Sequence, residues 1–245
     1  MSSTPRFFAP SGAWGDGSVT LPPAESHHAL RVLRMKPGDP VCVLDGMGRL
    51  AWCSVEAVIE DRLVATVRQV DMQPRPHPAI AVYQGAAKGA KLEDAVERLG
   101  ELGVAEFWAF DSARSVVRWP SDKLERMTDR WRARARSAAK LSGSAWVTEV
   151  GGALGWEGLR SRLSGEGTAL VLWEEASEPL RDHLPPDPDR IAIVVGPEGG
   201  LSRAEVEELA ATGARPVSLG ERTLRTENAA VVASAAIAWH YGLIG

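Results

Sequence analysis

The sequence predicts an α/β protein with a mostly parallel sheet, preceded by a smaller β domain. Short apolar strands alternate with helical segments from Ile80 onward, the pattern of parallel strands joined by helices. Within the first 70 residues, the segments at 41–43, 51–59 and 63–67 instead carry apolar side chains at every second position, which is typical of half-buried strands. A proline-rich break, MQPRPHP at 72–78, separates these regions. We therefore expect domains at 1–72 and 79–245, joined by a linker at 73–78.

The N-terminal region is expected to form a small β-barrel. Its clearest strand alternates apolar with more polar residues, the apolar ones being Ala51, Cys53, Val55, Ala57 and Ile59. A DGMGR turn at 45–49 precedes this strand, and a hairpin at Asp61-Arg62 follows it. A short helix is expected from Glu25 to Arg34.

The C-terminal region is expected to alternate strands with helices. A strand at 80–84 leads to a helix from Lys91 to Leu102, which Gly103 ends because glycine readily adopts the left-handed conformation after a helix. A strand at 104–110 then precedes a long helix from Asp122 to Leu141. A further strand is expected at 168–173.

Two glycine-bearing loops near the C-terminus are the most informative feature of the chain. The first follows a buried strand in IAIVVGPEGGLSRAEVEEL (191–209), where Ser202 and Glu205 form a capping box for the next helix. The second lies in PVSLGERTLRTENAA (216–230). Because ligands of open α/β sheets bind at the carboxyl ends of the strands, the two loops predict a small-ligand site.

These motifs resemble the C-terminal signature of the SPOUT methyltransferases, and within them the family that methylates N3 of a uridine in 16S rRNA. The resemblance rests on GPEGG, a helix with its capping Glu, SLG, and LRTEN followed by alanines. The segment HHALRVLRMKPGDPVCVLDGMGR (27–49) resembles the family's PUA-like RNA-binding domain. Two more blocks, AAKGAKLEDAVERLGELGV (86–104) and SARSVVRW (112–119), resemble the start of its catalytic domain.

The resemblance implies a fold, a cofactor and an assembly. The fold is a PUA-like β-barrel followed by a SPOUT α/β domain whose C-terminal segment forms a trefoil knot. The methyl donor is S-adenosylmethionine, no metal is required, and the protein is a homodimer. The implied cofactor-binding residues are Leu172, Gly196, Pro197, Glu198, Gly200, Leu219, Gly220, Leu224, Arg225, Thr226 and Ala229.

Methylation of uridine N3 needs a proton to leave and the donor methyl to lie in line with the nitrogen. An arginine suits the stabilisation of negative charge on the uracil oxygens, since its planar guanidinium stays ionised. Arg222 and Arg225 are the candidates, and the resemblance favours Arg225. Glu198 is the second candidate catalytic residue; it either organises its loop, which we favour, or helps to take the proton.

The expected partner is 16S rRNA, either as naked RNA or within the assembled small subunit. Although the net charge is −4, nine Lys or Arg face three acids between Arg114 and Lys140, and local patches govern contact with phosphates. A run of charged residues is by itself equally typical of a solvent-exposed helix face that binds nothing. The candidate RNA-binding residues are Arg6, His27, Arg31, Arg34, Lys36, Lys88, Arg114, Arg118, Arg130 and Arg134.

The chain departs from the usual family pattern at several positions. Ala90 and Lys91 stand where the family often has Asp and Arg, and Gly100 stands where Thr often precedes ELGV. Asn228 replaces a Thr after LRTE. Ser144, within LSGSAW, replaces a basic residue, which leaves the RNA contact there open.

Several other classes of protein are disfavoured. The sequence has no HExxH or paired CxxC metal motif, no GxGxxG fingerprint and no Walker GxxxxGK[ST]. Cys42 and Cys53 are expected to be reduced core residues. With no long apolar run and no signal-peptide pattern, a cytoplasmic location without a membrane span is expected. Two alternatives stay open: another SPOUT enzyme acting on ribose 2′-OH or a tRNA base, and a non-catalytic RNA-binding protein.

Overall fold

The computed structural model describes residues 4–115 and 119–245, which form two compact units. The first unit contains the chain up to Arg75 together with Arg136–Val147. The second contains Pro76–Ala135 and Thr148–Gly245. The linker expected at 73–78 stays a prediction.

The first unit is built on a five-stranded sheet with the order β1-β3-β4-β5-β2. Its strands are β1 (Arg6–Phe8), β2 (Ser18–Thr20), β3 (Pro40–Leu44), β4 (Arg49–Ile59) and β5 (Arg62–Met72). β1 pairs parallel with β3, and the other neighbours pair antiparallel. Phe7, Val19, Val41, Val43 and Leu63 are fully buried in its core.

The alternation expected along β4 is confirmed only in its first half. Ala51, Cys53 and Val55 are buried, but a register shift between Val55 and Ala57 leaves Ile59 58 % exposed. Val58 is also 47 % exposed, so beyond the shift neither face of the strand is buried as it approaches the hairpin tip. The hairpin tip also lies one residue earlier than expected, at Glu60 and Asp61, which both have positive φ.

The helical stretch expected from Glu25 to Arg34 is confirmed, but it begins and ends two residues earlier. Helix α1 (Pro23–His27) starts with a proline, which suits the first turn because its missing N–H would have no helical partner there. The chain continues as one π-helical turn, His28–Val32, and Arg34 has a φ of 55°. A buried hydroxyl on α1 joins it to β5, since Ser26 accepts the Leu63 N–H at 3.1 Å.

The second unit contains a six-stranded sheet with the order β11-β9-β10-β6-β7-β8, in which every neighbouring pair is parallel. The strands are β6 (Ala79–Gly85), β7 (Glu106–Phe110), β8 (Glu149–Leu154), β9 (Thr168–Leu172), β10 (Arg190–Val195) and β11 (Arg215–Val217). Ile191 to Val194 are fully buried in β10, as a central strand covered on both faces requires.

Helices follow these strands. They are α2 (Lys91–Glu101), α3 (Ser121–Ser142), α4 (Trp156–Leu163), α5 (Arg203–Ala210) and α6 (Thr226–His240). The sequence predicts all of them except α4. The apolar face expected on α2 is buried, and Gly103 has the positive φ of a residue that ends a helix. α2 packs against α6.

Strand β8 and helix α4 were absent from the sequence prediction. The strand reads EVGGAL, and its two glycines lower the β propensity that a strand prediction depends on. The fold explains one of them: a Cβ on Gly151 would lie 2.1 Å from the Trp108 ring. Helix α4 is only eight residues long and contains Gly158.

Cys42 and Cys53 are buried free cysteines, so the expectation of reduced core residues is confirmed. Burial raises the pKa of the Cys53 thiol to about 11, which keeps it protonated and unreactive. Among the helices of the described residues, none is long and apolar enough to cross a membrane.

Candidate functional site

A cavity of about 490 Å³ lies at the carboxyl ends of β9, β10 and β11. Leu172, Trp173 and Glu174 contribute to it where β9 ends. The segments 195–198 and 200–201 line it after β10, and Ser218–Thr226 lines it after β11. This is the edge of an open α/β sheet where ligands bind, and the volume is in the range of a small-molecule site.

The first loop approaches its neighbours so closely that only glycine fits. A Cβ on Gly85, at the end of β6, would lie 2.3 Å from the Pro197 nitrogen. A Cβ on Gly196 would lie 3.1 Å from backbone atoms of both Gly200 and Leu201. Gly200 closes the turn by donating its N–H to the Pro197 carbonyl at 2.9 Å, with a φ of 68°. The glycines therefore set the backbone of one cavity wall.

The capping box expected after this loop is present and also holds a second segment. Glu205 accepts the Ser202 N–H at 2.8 Å, and the Ser202 hydroxyl accepts the Glu205 N–H. The other carboxylate oxygen of Glu205 accepts the Ala113 N–H at 2.7 Å. Arg114 donates to the Gly199 carbonyl at 3.2 Å. The segment after β7 is thus tied to the GPEGG loop.

Glu198 is paired inside its loop. Its carboxylate accepts the Lys88 N–H at 3.2 Å and lies 3.1 Å from the Lys91 ammonium. Burial alone would raise the pKa of Glu198, but the hydrogen bonds from Lys88 and Lys91 outweigh it and hold the pKa below its ordinary value. A carboxylate of lowered pKa is a poorer proton acceptor, which favours loop organisation over proton transfer.

The second loop presents two arginines to the cavity. Arg222 and Arg225 both line it and are both exposed. Arg225 is the N-cap residue of α6 and accepts the N–H groups of Asn228 and Ala229 with its carbonyl. Its guanidinium is therefore carried at the start of a helix.

All eleven residues proposed from the sequence to bind the cofactor line this one cavity. They are Leu172, Gly196, Pro197, Glu198, Gly200, Leu219, Gly220, Leu224, Arg225, Thr226 and Ala229. Sequence reasoning gave no site role to Lys91, Trp173, Glu174, Ser218 and Glu221, which also line it. Glu174 directly follows a predicted strand, and this position is the one sequence signal that could have indicated its place in the cavity wall.

The candidate RNA-binding residues divide between the units. His27, Arg31, Arg34 and Lys36 are exposed in the first unit, where Arg6 donates to the carbonyls of Lys140 and Leu141 at 3.3 Å. Lys88, Arg114, Arg130 and Arg134 are exposed in the second unit. Arg118 lies outside the described residues. Within those residues, no group of three or more His, Cys, Asp and Glu side chains is placed to hold a metal ion.

Comparison with known proteins identifies the family. Residues 74–238 match the model of the RNA methyltransferase domain, and residues 21–68 match the RNA methyltransferase PUA domain. The chain belongs to the RNA methyltransferase family. Ribosomal RNA small subunit methyltransferase E of Mycobacterium bovis is 38 % identical over 87 % of this chain and 83 % of its own length. The Bacillus subtilis protein of the same name is 34 % identical over 90 % and 89 %.

Solved structures agree with this assignment. A methyltransferase from Legionella pneumophila, in complex with the cofactor SAM, has a TM-score of 0.89 at 27 % identity and 98 % coverage of both chains. A ribosomal RNA small subunit methyltransferase E from Neisseria gonorrhoeae, bound to S-adenosyl methionine, has a TM-score of 0.86 at 26 % identity, with 97 % of this chain and 98 % of that chain covered. The expected PUA-like domain followed by a SPOUT methyltransferase domain is confirmed.

Proposed function

We propose that this protein uses S-adenosylmethionine to methylate N3 of a uridine in small-subunit ribosomal RNA. The observation that carries the proposal is the cavity itself. It is built by both glycine-bearing loops at the strand ends, in a chain whose relatives are named ribosomal RNA small subunit methyltransferase E. The uridine and its N3 atom come from the resemblance of the motifs.

The cavity fits the proposed cofactor in shape and in chemistry. Leu172, Leu201, Leu219 and Leu224 offer apolar surface for an adenine ring. Gly220 has a φ of 105° and open space where a Cβ would stand, so its backbone can approach a ligand. The carboxylates of Glu174, Glu221 and Glu227 line the same cavity and complement a cationic ligand.

When bound, the cofactor supplies a methyl group on a positively charged sulfur. The residues of this chain hold that group in place and stabilise the uracil. We assign Arg225 to the uracil oxygens, where a fixed cation lowers the free energy of the deprotonated ring. We assign Glu198 to organisation of its loop, since Lys91 and the Lys88 N–H already occupy its carboxylate.

We assign RNA contacts to the exposed basic residues of both units. His27, Arg31, Arg34 and Lys36 lie on and after α1, and Lys88 and Arg114 lie close to the cavity loops. Arg6 is the weakest candidate because its guanidinium already donates within the first unit. Phosphate contacts of this kind fix the position of the protein along the RNA, but they do not select a base sequence.

We also propose a homodimer that uses the outer face of α6. Val232, Ala236 and Trp239 recur there at helical spacing and are exposed, Trp239 by 71 %. An apolar stripe of this kind suits a symmetric contact with a second copy. Light scattering should give twice the monomer mass of 26.3 kDa, and Trp239→Glu should shift it towards the monomer. A monomer mass for the unmodified protein at micromolar concentration would contradict the dimer.

The trefoil knot, the domain boundary at 73–78 and a cytoplasmic location complete the proposal. The resemblance implies the knot, the proline-rich segment indicates the boundary, and the ribosomal RNA named for the relatives supports the location.

The deciding experiment is methylation of small-subunit RNA from a strain that lacks the corresponding modification. Incubation with S-adenosylmethionine and nucleoside mass analysis should reveal 3-methyluridine. Methylation on ribose or in tRNA would assign the chain to another SPOUT activity. Cofactor binding without transfer to naked RNA, but with transfer to assembled subunits, would identify the subunit as substrate.

A glycine substitution locates the cofactor independently of turnover. Gly200→Val should abolish cofactor binding, since its branched side chain would stand in the cavity beside the Glu174 carboxylate and block the approach of a ligand to this backbone. Gly213→Val is the matched control, because Gly213 also has a positive φ of 99° but its Cβ would meet nothing within 4 Å. Equal cofactor affinity in the two variants, measured by calorimetry, would place the cofactor elsewhere.

A further inference from the structure

A chain of buried hydrogen bonds joins the central strand β6 to both cavity loops. The Gln84 side chain is fully buried, and its Nε2 donates to the Thr226 hydroxyl at 3.3 Å. That hydroxyl donates to the Gly196 carbonyl at 2.5 Å. Gly196 belongs to the loop after β10, and Thr226 is the first residue of α6. Both residues line the cavity, but Gln84 does not.

The direction of these bonds follows from the atoms involved. The Gly196 carbonyl can only accept, so the single hydroxyl proton of Thr226 is directed to it. Gln84 must then present its amide nitrogen, because the Thr226 oxygen is left only as an acceptor. With the amide nitrogen facing Thr226, the amide oxygen of the buried Gln84 side chain has no hydrogen-bond partner among the described residues.

A buried amide oxygen without a partner destabilises the folded protein, since it loses its hydrogen bonds to water. Gln84 lies between β10 and β7 in the middle of the sheet, where an apolar side chain would avoid this loss. A buried polar atom without a hydrogen-bond partner is expected where a residue contributes to function rather than to the stability of the fold.

We propose that Gln84 and Thr226 are positioning residues that hold the start of α6 at a fixed distance from the GPEGG loop. This inference rests on the proposed function, because that distance sets the width of the cofactor cavity. Arg225 makes no side-chain capping bond at the start of α6. The Thr226 hydroxyl therefore fixes this helix end relative to the opposite wall. The free protein is preorganised for the cofactor, which saves part of the ordering cost of binding.

The chain offers a matched control for Thr226. Thr148 is buried in the same unit and donates its hydroxyl to the Val104 carbonyl at 2.7 Å, but it does not line the cavity. Thr226→Val and Thr148→Val each remove one buried hydroxyl-to-carbonyl bond without changing the size of the side chain. A merely structural role predicts similar losses of melting temperature and no change in cofactor affinity for either variant.

The test is calorimetric binding of S-adenosylmethionine to the full chain, with the melting temperature of the ligand-free protein as a second readout. Thr226→Val and Gln84→Leu should weaken binding roughly five- to tenfold, the equivalent of one hydrogen bond. Thr148→Val should bind like the unmodified protein, and Thr226→Ser should retain most of the affinity. Gln84→Leu should melt no lower than the unmodified protein, because it also removes the unpartnered oxygen.

Gln84→Glu adds a pH signature. Its carboxylate can only accept, so it competes with Gly196 for the Thr226 proton and breaks the chain. The protonated acid has an O–H that replaces the amide N–H. The affinity deficit of this variant should therefore shrink as the pH falls, relative to the unmodified protein measured at each pH.

The outcomes separate the two proposals. If the unmodified protein binds no S-adenosylmethionine, the proposed function fails and this inference fails with it. If the unmodified protein binds, but Thr226→Val and Gln84→Leu bind equally well, only the positioning role is overturned. A similar loss of affinity in Thr148→Val would also overturn it, because a general loss of stability would then explain the effect.

Discussion

Arg225 and Arg222 carry the same charge, line the same cavity and are both exposed, yet their positions in the chain differ. Arg225 is the N-cap of α6, one residue before the threonine that bonds to Gly196. Its carbonyl accepts the N–H groups of Asn228 and Ala229, which holds its backbone at the helix start, whereas Arg222 lies in the middle of the loop at 218–225. A fixed guanidinium stabilises charge better than a mobile one, since no reorganisation is needed during the reaction.

Replacing Arg225 with alanine should therefore lower turnover by roughly 10²–10³, the loss typical of one oxyanion-type donor. Cofactor affinity should change little. Single-turnover methylation at saturating RNA measures the effect, and Arg222→Ala is the control because it removes the same charge from the same cavity. A larger loss of turnover in Arg222→Ala would transfer the role to Arg222. Weaker RNA binding with normal single-turnover rates would make Arg225 a docking residue.

At the scale of elements, the basic helix α3 is less free than its sequence indicates. Arg130 lies 3.2 Å from Glu93, and Arg134 lies 3.2 Å from Glu97, so both pair with α2. These partners are 37 residues away from each arginine, and no local sequence signal indicates them. Both arginines are still about half exposed, which leaves donors for phosphate groups.

The double variant Arg130→Gln and Arg134→Gln should weaken RNA binding and flatten its salt dependence by roughly 0.7–0.9 per lost phosphate contact. Stability should also fall, by roughly 1 kcal/mol for the Arg134–Glu97 pair and by more for Arg130, because Glu93 is only 15 % exposed and loses its cation. Filter binding across a salt series measures both the affinity and the slope. Arg160→Gln with Arg181→Gln removes the same charge and is the control. Equal slopes in the two double variants would show that α3 does not contact RNA.

At the scale of the whole molecule, a polar cluster holds together the end of the second unit's sheet where its strands begin. Arg190 donates to Glu106 at 2.6 and 3.0 Å and to Glu166 at 2.7 Å. Tyr83 donates to Glu166 at 3.0 Å, and Arg162 lies 3.8 Å from the centre of the Trp108 ring. The cluster lies at the opposite ends of the strands from the cavity, so it serves the stability of the fold.

This cluster should make stability depend on pH. The hydrogen bonds from Arg190 are the main cause that holds the pKa of Glu106 below its ordinary value of 4.5. The folded protein therefore binds this proton less readily than the unfolded chain, so the stabilisation is full above about pH 4.5 and is lost as the pH falls further. In urea unfolding, the stability difference between the unmodified protein and Glu106→Gln should shrink below that pH.

The control for this experiment is Glu157→Gln, because Glu157 is 82 % exposed and pairs with Arg160 at the surface. Its effect should stay below about 1 kcal/mol at every pH. A difference for Glu106→Gln that stays constant down to pH 3 would contradict the linkage. Arg190→Met should be the most destabilising change, by roughly 3 kcal/mol, since it leaves the mostly buried carboxylate of Glu166 without its cation, while Arg162 stays 3.8 Å from Glu106.

The sequence by itself determined the elements whose signals are local. The apolar run of β10, the buried face of α2, the Ser202–Glu205 capping box and the glycines of both loops each depend on residues within a few positions. The motif order also predicted the family and the residues that line the cavity. Local signals were insufficient for β8, where glycines lower the propensity, and for the end of β4, where Val58 and Ile59 are both exposed beyond a register shift.

Only the tertiary structure decided which distant residues meet. Glu198 is paired with Lys91, 107 positions away, and Thr226 bonds to Gly196 and Gln84 across 30 and 142 positions. Such contacts depend on how parallel strands are ordered in the sheet. The sequence around Glu198 or Thr226 does not indicate which distant residue it contacts. In the sequence, Gln84 is only a polar residue near the end of an apolar strand. Its burial between two neighbouring strands and its place in the chain of bonds exist only because the sheet brings the two loops together.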